Sequence, residues 1–201
     1  MRTFVAQQLR PAVLLLVLLT LITGVAYPGI VTAIGQVAFP SQANGSFITV
    51  NGSEVGSSLI GQAFDQPKYF WGRPSDAGVT PSNPAGYDGT ASAGSNLGPT
   101  SAALIANVQA QIDRLHAANG NGPIPVDLVT TSASGLDPDI SPAAAEYQVA
   151  RVAAARGMTV DAVRAIVARH TTQPLLGFIG EPAVNVLELN LDLDGLLTTT
   201  Q

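Results

Sequence analysis

The stretch GLDPDISPAAAEYQ, residues 135–148, places Asp137 and Asp139 two positions apart, directly ahead of a helix-like run. Paired carboxylates at this spacing can hold a metal ion, bind a nucleotide through that metal, or exchange protons with a substrate. Their neighbours favour a plainer role. Pro138 biases Asp137 towards extended backbone, Ser141 is a good N-cap, and Pro142 suits the first helical position. Both carboxylates then lie near the positive end of a helix, where negative charge is favoured by about 0.3–1 kcal/mol. No histidine, lysine or cysteine stands beside them, and a hard cation needs more ligands than two. The pair reads as a polar lead-in to a helix.

Other chemistry is sparse. The chain has no cysteine, which excludes disulfides, zinc–thiolate sites and a thiol nucleophile. His116 and His170 each fall near a helix end, where the dipole favours them, and no H-E-x-x-H cluster accompanies either. Lys68 is the only lysine and does not follow a phosphate loop, so a Walker A site is ruled out; a G-x-S-x-G elbow is also missing. SAGSNLGPTS, residues 92–101, is glycine-rich and leads into a helix, but without a basic neighbour it reads as turn and cap rather than phosphate cradle. YFWGRP, residues 69–74, combines three adjacent aromatics with an arginine, the residue types enriched in interface hot spots. Tyr69, Phe70, Trp71 and Arg73 are therefore the first candidates for partner contact, and Ser95 and Asn96 the second. The competing reading of YFWGRP is a strand end that buries one or two rings. No catalytic, cofactor-binding or metal-ligating residue is assigned.

The elements that must position these residues begin with an apolar N-terminus. Of 201 residues only 11% are charged, and no charge occurs from Pro11 to Ser53. Residues 11–37 are expected to form one transmembrane helix, since about 20 apolar residues cross the hydrocarbon layer. Arg2 and Arg10 precede it and Glu54 follows, so the positive-inside rule puts residues 1–10 in the cytoplasm and residues 38–201 outside. Pro28 is expected to kink the helix. Gly24, Tyr27, Pro28 and Gly29 form its expected packing site, because small residues allow close approach. The alternative is a signal peptide cleaved after Ala26, releasing a secreted enzyme or binding domain. Seven basic residues face all 14 acidic ones beyond the apolar segment, an acidic balance that gives nucleic acid no foothold.

FITVNGSEVGSSLIGQAF reads as a hairpin about an Asn51-Gly52 turn. A long Gly/Ser/Pro-rich loop follows near residues 75–99. Helices are expected from TSAALIANVQAQIDRLHAAN, from Pro142 to Arg156 with Gly157 ending it, and after a Thr159 cap. IPVDLVTTSASG is expected to be a strand entering a turn. VNVLELNLDLDGL alternates leucine with polar residues and is expected to be a half-buried strand. The fold class is α+β: a small mixed outer domain anchored by one N-terminal transmembrane helix.

Several words along the chain, in order, carry a resemblance. RPA precedes LITGVAYP; then come FPSQANGS, GSSLIGQAF, YFWGRPS, AGSNLGPT, VDLVTTSASGLDPDISPAAAEYQVARVAAARG and LGFIGEPAVNVLELNLDL. Together they resemble the C subunit of the Kdp-type potassium-transporting P-type ATPase. The resemblance implies a non-catalytic accessory subunit of a bacterial inner-membrane complex that couples ATP hydrolysis to high-affinity potassium uptake. It implies three partners: a potassium-selective channel-like subunit, a P-type ATPase subunit and a small single-helix subunit. It further implies a role in assembly and as a catalytic chaperone raising the ATPase subunit's affinity for ATP, with ATP and potassium handled by the complex. Because charge bias puts the domain outside while ATP is inside, any such effect is expected to be allosteric, with the domain docked over the outer mouth of the potassium-selective subunit.

Overall fold

A computed structural model describes residues 2–196, and the side chains of residues 7–196. The expected N-terminal segment therefore loses Met1, and the expected outer domain its last residues, 197–201, from the description. The chain divides into two units, residues 1–47 and 48–201.

The first unit is helical. α1 (Arg2–Leu21) passes through one π-type turn (Ile22–Ala26) into α2 (Tyr27–Ala38), and residues Gln7–Ala38 are long and apolar enough to cross a membrane. The π turn stands directly before Pro28, where a kink is expected. Proline cannot donate to the carbonyl four residues back, and its ring crowds that carbonyl. One wider turn just before it shifts the pairing, so that the Tyr27 N–H bonds to the Ile22 carbonyl. Thr23 adds a hydroxyl bond to the Leu19 carbonyl at 2.7 Å. A short α3 (Pro40–Ala43) follows, held against the end of α2 by paired amide bonds between Gln36 and Asn44.

The second unit is mixed. β1 (Phe47–Val50) and β2 (Ser53–Ser57) form the expected hairpin, with Asn51 and Gly52 both at positive φ as its turn demands. The helix expected after the loop is α4 (Ala102–Asn119), of which only Leu115 is buried. α5 (Pro142–Arg156) is capped by Ser141, whose Oγ accepts from Ala144 N at 3.0 Å, and ends at Gly157 in the left-handed conformation. α6 (Val160–Arg169) starts at the Thr159 cap, with Asp161 in its first turn and Arg169 in its last.

Two expected strands are not strands. IPVDLVTTSASG forms a single 3-10 turn, Val126–Leu128, and then runs irregularly. Its polar side chains engage backbone in place of a ladder: Thr130 Oγ1 donates to the Val126 carbonyl, and Asp127 accepts from Ser141 N. VNVLELNLDLDGL enters as β5 (Ala183–Asn185) and then becomes α7 (Val186–Leu193). Asn185 caps it, accepting from Glu188 N at 3.1 Å. Leucines two apart suggest a strand, but Val186, Leu189, Asn190 and Leu193 also lie on one helical face, and the leucine-rich run has high helix propensity.

β5 is the centre of a three-stranded antiparallel sheet, between β3 (Asp139–Ile140) and β4 (Thr171–Thr172), with Ile140 opposite Val184 and Thr171 also opposite Val184. The core lies where α5, α6 and α7 meet this sheet. Ala144, Ala145 and Ala153 let α5 approach closely, while Val149, Val152, Val163, Val184 and Leu189 fill the interior.

Candidate functional site

The segment 69–74 carries no helix or strand, yet its backbone is paired throughout its centre. Two buried amides do this. Asn190 of α7 accepts from Phe70 N at 2.8 Å and donates to the Phe70 carbonyl at 3.0 Å. Gln148 of α5 accepts from Trp71 N at 2.8 Å and donates to the Trp71 carbonyl at 3.1 Å. Each side-chain amide matches the donor and acceptor of one residue, as a neighbouring strand would. Unpaired, these groups would oppose burial.

Charged side chains brace the rings. Two guanidiniums lie over the Trp71 ring, Arg114 at 4.4 Å and Arg151 at 4.2 Å from its centroid. Arg151 also donates to the Pro67 and Tyr69 carbonyls, to Asn119 and to Gln148. Burial and the nearby Arg114 lower its pKa to about 10, so it stays charged at neutral pH. Arg156 bonds the Lys68 and Leu193 carbonyls and the Asp194 carboxylate, each at 2.7 Å. Tyr69 donates to the other Asp194 oxygen at 2.7 Å. Burial pushes the Asp194 carboxyl up, but donation from Tyr69 and Arg156 outweighs it and holds the group below its ordinary value.

Arg73 explains Asp137. Its Nη1 donates to Asp137 Oδ2 at 3.0 Å and its Nη2 to the Thr131 carbonyl at 3.2 Å. The other Asp137 oxygen accepts from Asp139 N at 3.1 Å. Asp137 thus ties the aromatic segment to the approach of α5. Asp139 is half-buried, and its pKa is raised by burial and then by the charge of Asp137. Among the described residues, no group of three or more His, Asp or Glu is placed to hold a metal ion. Tyr87 caps the arrangement by donating to the Arg73 carbonyl; burial, then Asp137, pushes its hydroxyl up to about 12. Gly61 must be glycine here: a Cβ would meet the Asp137 carbonyl oxygen at 2.5 Å and the Tyr87 ring at 2.7 Å.

These residues border three depressions. Trp71, Arg73, Tyr87, Gln111 and Arg114 line a cleft of about 230 Å³. Asp76, Ser95, Leu104, Val108 and Thr131 line a second, of about 240 Å³. The third, of about 440 Å³, is acidic: Asp127, Asp137, Asp139 and Glu181 meet there with Arg73.

The residues expected to contact partners are placed unevenly. Phe70 and Trp71 belong to the core cluster; Tyr69 and Ser95 are half-buried, Arg73 keeps an exposed edge, and Asn96 is exposed with a positive φ. Gly24, Tyr27, Pro28 and Gly29 lie on the exposed surface of the apolar helix, at and just after the π turn. The long loop is ordered by side-chain bonds: Ser75 Oγ reaches the Gly135 carbonyl, Asn83 bridges the Gly78 and Gly86 carbonyls, and Ser92 reaches the Ser134 carbonyl.

One surface was not singled out from the sequence. Between β4 and β5 the chain forms a hairpin whose tip presents Leu175, Leu176, Phe178 and Ile179, all exposed. Four large apolar residues within five positions, broken by one glycine, were the available signal.

The whole arrangement has known relatives. A family model described as KdpC, the K+-transporting ATPase c chain, matches residues 9–195. The potassium-transporting ATPase KdpC subunit of Herpetosiphon aurantiacus is 58% identical over 196 residues, covering 96% of this chain and 97% of that protein. Its counterpart in Sorangium cellulosum is 60% identical over 189 residues, covering 93% and 97%. That of Ralstonia nicotianae is 58% identical over 190 residues, covering 94% and 91%. The match takes in the apolar helix, the clamped aromatic segment and the exposed hairpin alike, and the chain belongs to the KdpC family, the c chain of potassium-transporting ATPases.

Proposed function

We propose that this chain is a non-catalytic accessory subunit that supports assembly of a bacterial inner-membrane potassium pump and raises the ATP affinity of its P-type ATPase subunit. The observation that carries the reading is the extent of the family match, which runs from residue 9 through the apolar helix and the mixed domain to residue 195. A chain whose membrane segment is part of the match is better read as anchored than as released by cleavage after Ala26. The proposed topology is single-pass, with Arg2 and Arg10 on the cytoplasmic side and the mixed domain outside. The partners in this reading are the potassium-selective channel-like subunit, the P-type ATPase subunit and the small single-helix subunit.

Within the bilayer, Gly24, Tyr27, Pro28 and Gly29 are the proposed contact with a neighbouring helix, since glycine lets backbones approach and the π turn offers an irregular surface. In the domain, the accessible edges of Tyr69 and Arg73, with Ser95 and Asn96, are the proposed contact. Phe70 and Trp71 serve that surface by holding it in shape. From outside the membrane the domain can alter ATP affinity only by binding two states of the pump unequally, here over the outer mouth of the potassium-selective subunit.

Copurification from membranes in mild detergent tests the assembly: a P-type ATPase subunit is expected to accompany this chain, and its absence overturns the reading. Protease added to intact spheroplasts tests the topology. Cleavage of the domain is expected, and protection until the membrane is opened overturns the outside placement.

A further inference from the structure

The hairpin tip is built to present apolar side chains. Leu175 and Ile179 exchange both backbone hydrogen bonds at 3.0 Å, and Gly177 N bonds to the Pro174 carbonyl at 2.9 Å. Leu176 and Gly177 turn the chain at positive φ. Below the tip, β4 and β5 pair in register, fixing the stalk to the core sheet. The backbone is thus satisfied internally, and the side chains do no work for the fold: Leu176 and Phe178 are each 76% exposed. A rigid apolar projection of this kind needs little ordering on binding.

We infer that this finger, residues 174–180, docks into an apolar groove on a membrane-embedded subunit of the same potassium-transporting assembly. The inference rests on the subunit role proposed above. Charge and composition select that occupant over the others. From Thr171 to Asn185 there is no Lys, Arg, Trp or Tyr, and the one charge is Glu181. Lipid-surface contacts draw on basic residues and on amphipathic aromatics, and this finger has neither, in an acidic domain. The three depressions described above offer a second copy's finger poor seats, because each carries charge: Arg73 and Arg114 in one, Asp76 in another, four carboxylates in the third. Only eight residues separate the end of α2 at Ala38 from β1 at Phe47, so the domain follows the apolar helix closely along the chain.

The test uses the full chain coexpressed with its complex. A photo-crosslinking phenylalanine analogue replaces Phe178, and the same analogue replaces Val126, an apolar residue 71% exposed elsewhere on the domain, as control. Irradiated membranes are expected to give an adduct with an integral-membrane subunit from position 178 only. An adduct with phospholipid, an adduct with a second copy, or no excess over position 126 overturns the inference. In parallel, Leu176→Asp with Phe178→Asp is expected to reduce copurification of the complex by about tenfold or more, as loss of a hot spot does, while Val126→Asp leaves it unchanged. The thermal unfolding of Trp71 fluorescence stays unchanged in both. If the unsubstituted chain retains its partners and the double variant does too, the finger is overturned and the subunit role stands. If the unsubstituted chain retains none, both fall.

Discussion

Two short aromatic segments of this domain have opposite fates. Tyr69–Arg73 and Leu175–Ile179 both lie outside the helices and strands, both are rich in large apolar side chains, and each holds a phenylalanine, yet Phe70 is 0% exposed and Phe178 is 76% exposed. The difference lies in who satisfies the backbone. At residues 70 and 71 the N–H and carbonyl groups are taken by Asn190 and Gln148, side chains that reach in from two helices and draw the segment into the core. At residues 175–179 the hairpin pairs with itself, so nothing pulls the side chains inward. A segment held by distant side chains is part of the fold; one held by its own backbone is free to serve something outside it.

The sharpest way to break that contrast is to truncate both phenylalanines. Phe70→Ala is expected to cost about 3–5 kcal/mol, the range for removing a large buried ring. Phe178→Ala is expected to stay within about 0.5 kcal/mol, as exposed substitutions do. The chain has one tryptophan, Trp71, inside the clamp, so thermal unfolding of the full chain in detergent can be followed by its fluorescence. Equal losses at the two positions would collapse the distinction.

A second substitution isolates the clamp. Asn190→Leu keeps the branched shape of the side chain and removes both bonds, leaving the Phe70 N–H and carbonyl buried and unpaired. At about 1–3 kcal/mol for each group the expected loss is roughly 2–6 kcal/mol, with a lower unfolding temperature in the same assay. Little change would mean that ring burial alone places the segment. A smaller effect is expected from Arg114→Met, which takes the more exposed of the two guanidiniums off Trp71. A loss of about 0.5–1 kcal/mol suits an exposed cation–π contact.

How far the sequence announced these features depends on how local their causes are. Ser141, Pro142, Gly157 and Thr159 set helix ends through neighbours one to four residues away, and the helices stand where those residues place them. The Asn51-Gly52 hairpin is equally local. The α7 segment reads as a strand in sequence, because eight residues with alternating leucines satisfy that period as well as the helical one; the helix follows from the Asn185 cap and the packing of one face. The clamp could not be read at all. Its amides stand 120 and 77 positions from the backbone groups they bind. Without them, YFWGRP looks as ready for a partner as for a core. Asp137 is a similar case, since its meaning depends on Arg73, 64 positions away.

The smallest predicted effect concerns the link between that ion pair and the acidic depression beside it. Asp139 follows Asp137 by two residues and has a raised pKa, chiefly from burial and next from the Asp137 charge. A carboxyl whose folded pKa lies above its unfolded value binds its proton more tightly in the folded chain. Its contribution to stability is therefore fully present below the unfolded value, near 3.8, and is lost as pH rises through the folded value. Asp194, held low by Tyr69 and Arg156, runs the other way: its contribution is present above the unfolded value and is lost as pH falls through the folded one. Asp139→Asn removes the first dependence and leaves the second. The variant is expected to unfold at a higher temperature than the unsubstituted chain at pH 7, with the gap closing as pH is lowered towards 3.8 and below. A gap that persists unchanged at low pH would show that Asp139 acts through shape or hydrogen bonding. A variant less stable at pH 7 would mean that the carboxylate holds the approach to α5 together, and that the lead-in depends on both aspartates rather than on Asp137 and Arg73.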